Sequence, residues 1–369
     1  MKVPFIDILR FEKNFFETVT EKTTALIKNG HFVGGPVVGE FEGALKKYTH
    51  TQFALGCANG TDAIQLALRA AGVNKNDKVL LPDMTFWATF ESIVNVGAIP
   101  YTIDVSRETL HVTLASVKEG VEKFKPKALL MVHLYGWACP ETLEIRKYCK
   151  EQNVLLIEDC AQAIGTKING ESLLTNAHVA TTSFYPAKVL GASGDAGGVF
   201  TTDEKIAKTT QILLNHGRTG HYEHGLIGWN SRLGAYEASF MVEALKHLDA
   251  RLDSRRVVCQ QYREKIKNPL LKFVAPAASV WENGYLSVAL MTPESRAPFI
   301  EYLKKHDIGY GTVYPGAMSE QPGAKDFLGG KISHGHADWI AKSVINLPCF
   351  AYMTQAEIDY VITTVNQYK

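Results

Sequence analysis

No two of the six cysteines in this 369-residue chain form a C-x-x-C pair. With Cys57, Cys139, Cys149, Cys160, Cys259 and Cys349 scattered along the chain, neither a zinc ribbon nor a disulfide framework is indicated. Reduced, buried thiols in a cytoplasmic protein are the expectation. An excess of one charge is also lacking: 39 Lys and Arg stand against 38 Asp and Glu, a net charge of +1. Such a balance argues against a nucleic-acid or anionic-membrane surface, so any anion recognised here must be met by local groups. Long apolar runs are missing too. ALLMVHLYGWA, beginning at Ala128, breaks well before the roughly 20 residues a membrane span needs. The opening MKVPFIDILRFEKNFFE carries early charges and has no apolar core followed by a cleavage site, so a signal peptide is not expected. Neither G-x-G-x-x-G nor G-x-x-x-x-G-K-[ST] occurs in the glycine-rich stretch after residue 190, which argues against a dinucleotide or P-loop reading. His216, His221 and His224 lack the H-E-x-x-H spacing, and no metal is expected.

What is present is an alternation. Strand-like runs occur at 53–58, 78–82, 99–104, 127–135, 153–159, 179–185 and 197–203. Amphipathic stretches such as TDAIQLALRAAG (61–72) and PETLEIRKYCKEQ (140–152) lie between several of them. Near-continuous apolar strands alternating with helices predict an α/β fold with a mostly parallel sheet covered on both faces. From Leu233 the pattern becomes one long helix reaching Ile266, followed by shorter strands (285–291) and helices (296–307). These features predict a large domain over residues 1–250 and a smaller α+β domain over 251–369.

Three segments carry chemistry. Asn59, Gly60 and Thr61 lead from a strand into a helix, whose unpaired N–H groups bind phosphate, with Gly60 allowing close approach and Thr61 adding a hydroxyl. Glu158 and Asp159 stand where an apolar strand stops, the edge at which open α/β sheets bind ligands, and Gln162 lies close by. Ser183 and Lys188, five apart, precede Gly191, Gly194, Gly197 and Gly198. Each segment alone has a plain structural reading: a capped turn, a loop acid, a solvated lysine. In this order they form a phosphate clamp, a partner for a protonated ring nitrogen and a reactive amine, the set that pyridoxal 5′-phosphate (PLP) requires.

The chain resembles the DegT/StrS nucleotide-sugar aminotransferases, a group of fold-type-I PLP enzymes. The matching pieces are GPVVGEFE near residue 40, NGTDA (59–63), TFWAT (85–89), VHLYG (132–136), IEDCAQAIG (157–165), SFYPAKVLGASGDAG (183–197), NHGR (215–218) and GWNSRL (228–233). The resemblance implies a three-layer PLP-dependent transferase fold and a set of roles. Lys188 matches the lysine that carries the cofactor, Asp159 the carboxylate facing the pyridine nitrogen, and Gln162 the side chain near the ring oxygen. Gly60, Thr61 and Ser183 match phosphate contacts, and Phe86 the aromatic against the ring face, with Trp87 left to packing. Asn230 matches an asparagine reaching the phosphate of a neighbouring subunit, which implies a homodimer with shared active sites. Tyr185 and Tyr314 are candidate substrate contacts. Many relatives carry His-Tyr-Pro in the C-terminal part with another histidine shortly after; Val313 and Ser319 stand at those two positions here.

By this resemblance, the implied activity moves an amino group from an amino acid, L-glutamate in most relatives, to a nucleotide-linked keto sugar. A dTDP- or UDP-linked 3-keto hexose is favoured, and the product would be an amino sugar for a bacterial surface polysaccharide such as an O-antigen or for a glycosylated metabolite. The alternatives are a 4-keto sugar, an amino-cyclitol ketone, a non-catalytic PLP-binding regulator, or a sugar-binding protein without PLP.

Overall fold

The computed structural model describes residues 1–369. Five strands alternate with helices in the first part of the chain: β1 (Phe53–Cys57), β2 (Lys78–Pro82), β3 (Ile99–Ile103), β4 (Ala128–Val132) and β5 (Leu155–Asp159). A short hairpin follows (β6, Lys167–Ile168; β7, Glu171–Ser172), and then β8 (Val179–Ser183) and β9 (Gly197–Thr201). The C-terminal part adds β10 (Lys272–Phe273), β11 (Val280–Trp281), β12 (Ser287–Leu290), β13 (Gly330–Lys331) and β14 (Val344–Leu347).

Eight strands form one sheet in the order β1-β9-β8-β5-β4-β2-β3-β13. Only β9 runs against the rest. The reason for the predicted α/β class is visible in the burial of the central strands. Leu129 and Met131 of β4 and Leu80 of β2 point into one core, while Ala128, Leu130, Val79 and Leu81 point into another. Apolar residues are therefore needed at successive positions, which is why these strands read as runs and not as alternations. β10, β12 and β14 form a separate antiparallel sheet with its own core, in which Phe299, Tyr262, Ile345 and Val361 are buried. Between them the chain returns to the large sheet at β13. Asp104, just past β3, holds that return by accepting N–H groups from His334, His336 and Ala337.

The long helix expected from Leu233 is in fact two, Ala235–Lys246 and Leu248–Lys265, broken at His247. The first is buried on nearly all sides, through Ala238, Met241, Val242 and Leu245. The second buries one stripe, Leu248, Leu252, Arg255, Cys259 and Tyr262. One straight cylinder cannot aim both surfaces at their separate cores, and the break at His247 redirects the chain without a proline or glycine to announce it.

The turn leaving β4 is fixed from three directions, and it governs the site above it. Buried His111 donates from Nδ1 to Thr109 O (2.8 Å) and accepts the Leu134 N–H at Nε2 (3.0 Å). His133 lies 2.9 Å from the Glu158 carboxylate, which also takes two bonds from Arg146. Burial opposes ionisation of Glu158, but His133 and Arg146 together hold its carboxyl below the usual range. Gly136, at φ 98°, lies where a Cβ would come within 2.2 Å of Asn283 Oδ1, so only glycine passes there.

Burial depresses His111 to a pKa of about 4 from an ordinary 6.5. The unfolded chain therefore binds the extra proton first, and stability is lost as pH falls from about 6.5 to about 4. Thermal melts over that range are expected to show a shallower fall for His111→Gln than for the parent protein; equal slopes would contradict this account.

Candidate active site

The carboxyl ends of β1, β2, β4, β5 and β8 open into a cavity of about 670 Å³. Lys188 and Asp159 both line it, as do Gly60, Thr61, Phe86, Gln162, Ser183, Tyr185 and Tyr314. That volume lies in the range of small-molecule and cofactor sites.

One end of the cavity is built to receive an anion. Helix Gly60–Ala70 starts there, and its Asn59 cap accepts the Asp62 N–H at 2.8 Å. The N–H groups of Gly60 and Thr61 have no acceptor within the chain. Ser183, at the end of β8, packs directly against this turn. A Cβ on Gly60 would stand 2.6 Å from Ser183 Cβ, and one on Gly197 would stand 2.3 Å from Asn59 O. Two glycines thus permit a close meeting of β8, β9 and the helix start, leaving bare donors and two hydroxyls facing the same space.

The floor is acidic. Asp159 is 5% exposed; its Oδ1 accepts the Ala161 N–H (3.0 Å) and its Oδ2 the Thr89 hydroxyl (3.2 Å), itself 2.7 Å from Thr85. Adjacent strand residues face opposite ways, so Glu158 is committed to Arg146 while Asp159 faces the cavity. Burial pushes the Asp159 carboxyl upward; the Ala161 N–H, the charge of Lys188 and the Thr89 hydroxyl pull it back. A cationic ring nitrogen above it would complete the neutralisation of a buried anion.

Lys188 sits on the loop joining β8 to β9. Lys188 N bonds Tyr185 O (2.8 Å), Ala192 N bonds Phe184 O (2.7 Å), and Phe184 is buried against Phe41. The Lys188 amine lies 3.4 Å from the Tyr285 hydroxyl and 5.0 Å from its ring centre. Tyr285 starts the strand-like run 285–291, where nothing in the sequence marked it as facing a lysine almost a hundred residues away. Gln162 uses Oε1 to accept Tyr135 N (2.6 Å) and one Nε2 proton for the Tyr314 hydroxyl (2.8 Å), leaving one amide proton free. The Phe86 ring is 5.7 Å from that of Tyr314 and is 55% exposed, whereas Trp87 stacks on Phe90. Val313 also lines the cavity, and Ser319 bonds Asp83 at the end of β2 through both N–H and hydroxyl. Ser319 is therefore occupied in anchoring its loop.

Asn230 is the exception. It is exposed, accepts from Arg232 at 2.6 Å and does not line the cavity of its own chain. His133 and Tyr135, at the end of β4, are fully buried behind the cavity.

A mostly parallel three-layer sheet with an amine, a buried carboxylate and a helix-start anion cradle at one edge defines a PLP-dependent transferase of the aminotransferase class. The chain belongs to the DegT/DnrJ/EryC1/StrS aminotransferase family, which it matches over residues 14–366. It is 30% identical over 372 residues to a pleiotropic regulatory protein of Geobacillus stearothermophilus, covering 100% of this chain and 99% of that one. To dTDP-3-amino-3,6-dideoxy-alpha-D-galactopyranose transaminase of Aneurinibacillus thermoaerophilus it is also 30% identical, over 99% of each chain. Among solved structures it superposes on DesV of S. venezuelae with a TM-score of 0.94 at 27% identity, covering 99% and 98% of the two chains. It superposes on NtdA of Bacillus subtilis, solved with bound PMP, with a TM-score of 0.90 at 25% identity, covering 99% and 84%. PLP is the cofactor, and the donors described above fit it.

Gly60→Ala is expected to force the helix start away from Ser183 and weaken PLP binding about tenfold or more, read by titrating the apoprotein with PLP and following absorbance. Unchanged affinity would show that this turn does not form the phosphate site.

Proposed function

We propose that this protein is a nucleotide-sugar aminotransferase that takes its amino group from L-glutamate and delivers it to C3 of a dTDP- or UDP-linked keto hexose. The observation that carries the reading is that the Lys188 amine and the Asp159 carboxylate border one cavity whose far end offers unpaired N–H donors. The C3 assignment is supported by the 3-amino sugar in the name of the Aneurinibacillus relative.

Bound there, PLP supplies an electron sink for charge developing on the carbon that loses a proton. The Gly60 and Thr61 N–H groups, with the Thr61 and Ser183 hydroxyls, hold its phosphate. Asp159 would face the ring nitrogen and favour its protonated form, and the free amide proton of Gln162 would be available to the ring oxygen. Phe86, on the cavity wall, would cover one ring face. Lys188 would hold the cofactor, and its amine is placed to move a proton at the donor's α-carbon. Tyr185 and Tyr314 face the sugar. A second copy of the chain supplies Asn230 to the phosphate, so the working unit is a cytoplasmic homodimer. Within each copy, residues 1–250 form the cofactor-binding domain and residues 251–369 close the cavity with Tyr285, Val313 and Tyr314. The product serves surface-polysaccharide synthesis.

The name of the Geobacillus relative favours a second reading, a PLP-bound regulator without turnover. Glutamate separates the two: an enzyme loses the visible band of its lysine-bound cofactor when the donor is added, and a regulator keeps it.

With 3-keto and 4-keto nucleotide sugars and glutamate as substrates, Lys188→Ala is expected to lower turnover about 10⁴-fold or more while circular dichroism stays unchanged. Asp159→Asn should retain PLP but lose about a hundredfold or more in rate. A rate near that of the parent protein in either variant would refute the assignment.

A further inference from the structure

Lys188 borders two cavities. The second, about 230 Å³, has walls that include neither Asp159 nor the phosphate-facing residues. It lies between the N-terminal segment (Asp7, Phe11), the Lys188 loop (Val189, Ala192) and the broken helix pair (Phe240, Arg255).

Arg255 is the anomaly in this wall. It is 5% exposed and makes one hydrogen bond, from Nη1 to Cys349 O at 3.1 Å, while its buried Nε has no partner. Buried Glu158 and Glu282 each have an arginine, Arg146 and Arg263, and buried Asp83, Asp104 and Asp159 each accept two or more hydrogen bonds. No carboxylate lies within 4 Å of Arg255; the groups facing it are Arg251, Tyr285, Cys259 and Cys349. Of the other charges bordering the cavity, Asp7 is taken by Arg10 (2.8 Å) and Arg251 has Glu12 at 3.5 Å. The charge of Lys188 answers Asp159 across the larger cavity, which leaves Arg255 as the one charge on this wall without an acid partner. A guanidinium does not discharge by losing its proton, and a buried one with most of its donors idle is strongly unfavourable unless an anion meets it. Its planar fork matches a carboxylate, and the aromatic and aliphatic walls suit a short carbon chain.

We propose that this cavity is a binding site for a small carboxylate, with Arg255 as its partner. The carboxylate has two possible sources: the amino donor or its oxo-acid product, an arm that rests on the aminotransferase reading above, or a separate effector metabolite.

The test is calorimetric titration of the full-length, PLP-loaded protein with succinate and with 2-oxoglutarate. Saturable binding at one site per chain is expected, weakened tenfold or more by Arg255→Gln and partly kept by Arg255→Lys. Ala244→Leu, which fills the cavity and leaves the guanidinium intact, should weaken it likewise, and it serves where Arg255→Gln does not fold. Absence of saturable binding, or affinity unchanged in folded Arg255→Gln or in Ala244→Leu, overturns the proposal. Succinate inhibition competitive with the donor assigns the site to the donor path; binding without competition assigns it to an effector. Because calorimetry reads the site without turnover, failure of the amino-transfer reading leaves this result standing.

Discussion

A carboxylate buried at the edge of a parallel sheet is the constraint around which this structure is arranged. Asp159 is out of water, and isolated it would favour its neutral form. What keeps it useful is a set of donors from three places: the Ala161 backbone, the Thr89 hydroxyl on the helix after β2, and the positive charge of Lys188. Each comes from a different crossover or loop, and the parallel topology is what gathers their ends at one edge.

The neighbouring acid shows the same physics settled differently. Glu158 points to the other face, is neutralised internally by Arg146 and is hydrogen-bonded to His133, so it has no role left for a ligand. This network, with His111 below it, fixes the turn from β4 to which Gln162 is tied. A rigid, fully bonded support behind the cavity and a set of incomplete bonds inside it distinguish scaffold from site.

Much of this was readable in the chain itself. The large-sheet strands announce themselves because burial on both faces demands unbroken apolar runs. Gly60, Asp159 and Lys188 stand out because turns and strand ends have local signatures. The contents of the cavity were less legible where they depend on distant packing. Tyr285 and Arg255 come from a strand start and a helix stripe that look ordinary, and only the tertiary fold brings them beside Lys188. The break at His247 was invisible for the same kind of reason: no residue there disfavours a helix, and the two halves diverge because they serve different cores. Asn230 matches a motif yet lies away from its own chain's cavity, a separation that sequence order alone does not reveal.

The solitary antiparallel strand has a dynamic consequence. Because β9 returns alongside β8, residues 184–196 form a closed hairpin connection whose two ends, Ser183 and Gly197, are paired within the large sheet, with β1 on the far side of β9. Unfastening that connection at its root therefore requires prising apart interior strands. The amides of Phe184 and Ala192, bonded within the hairpin, are expected to be among the slower-exchanging protons of the molecule. The amine at residue 188 is thus carried on a connection rooted in the interior of the sheet, while its own four-carbon stem provides the movement that proton transfer requires.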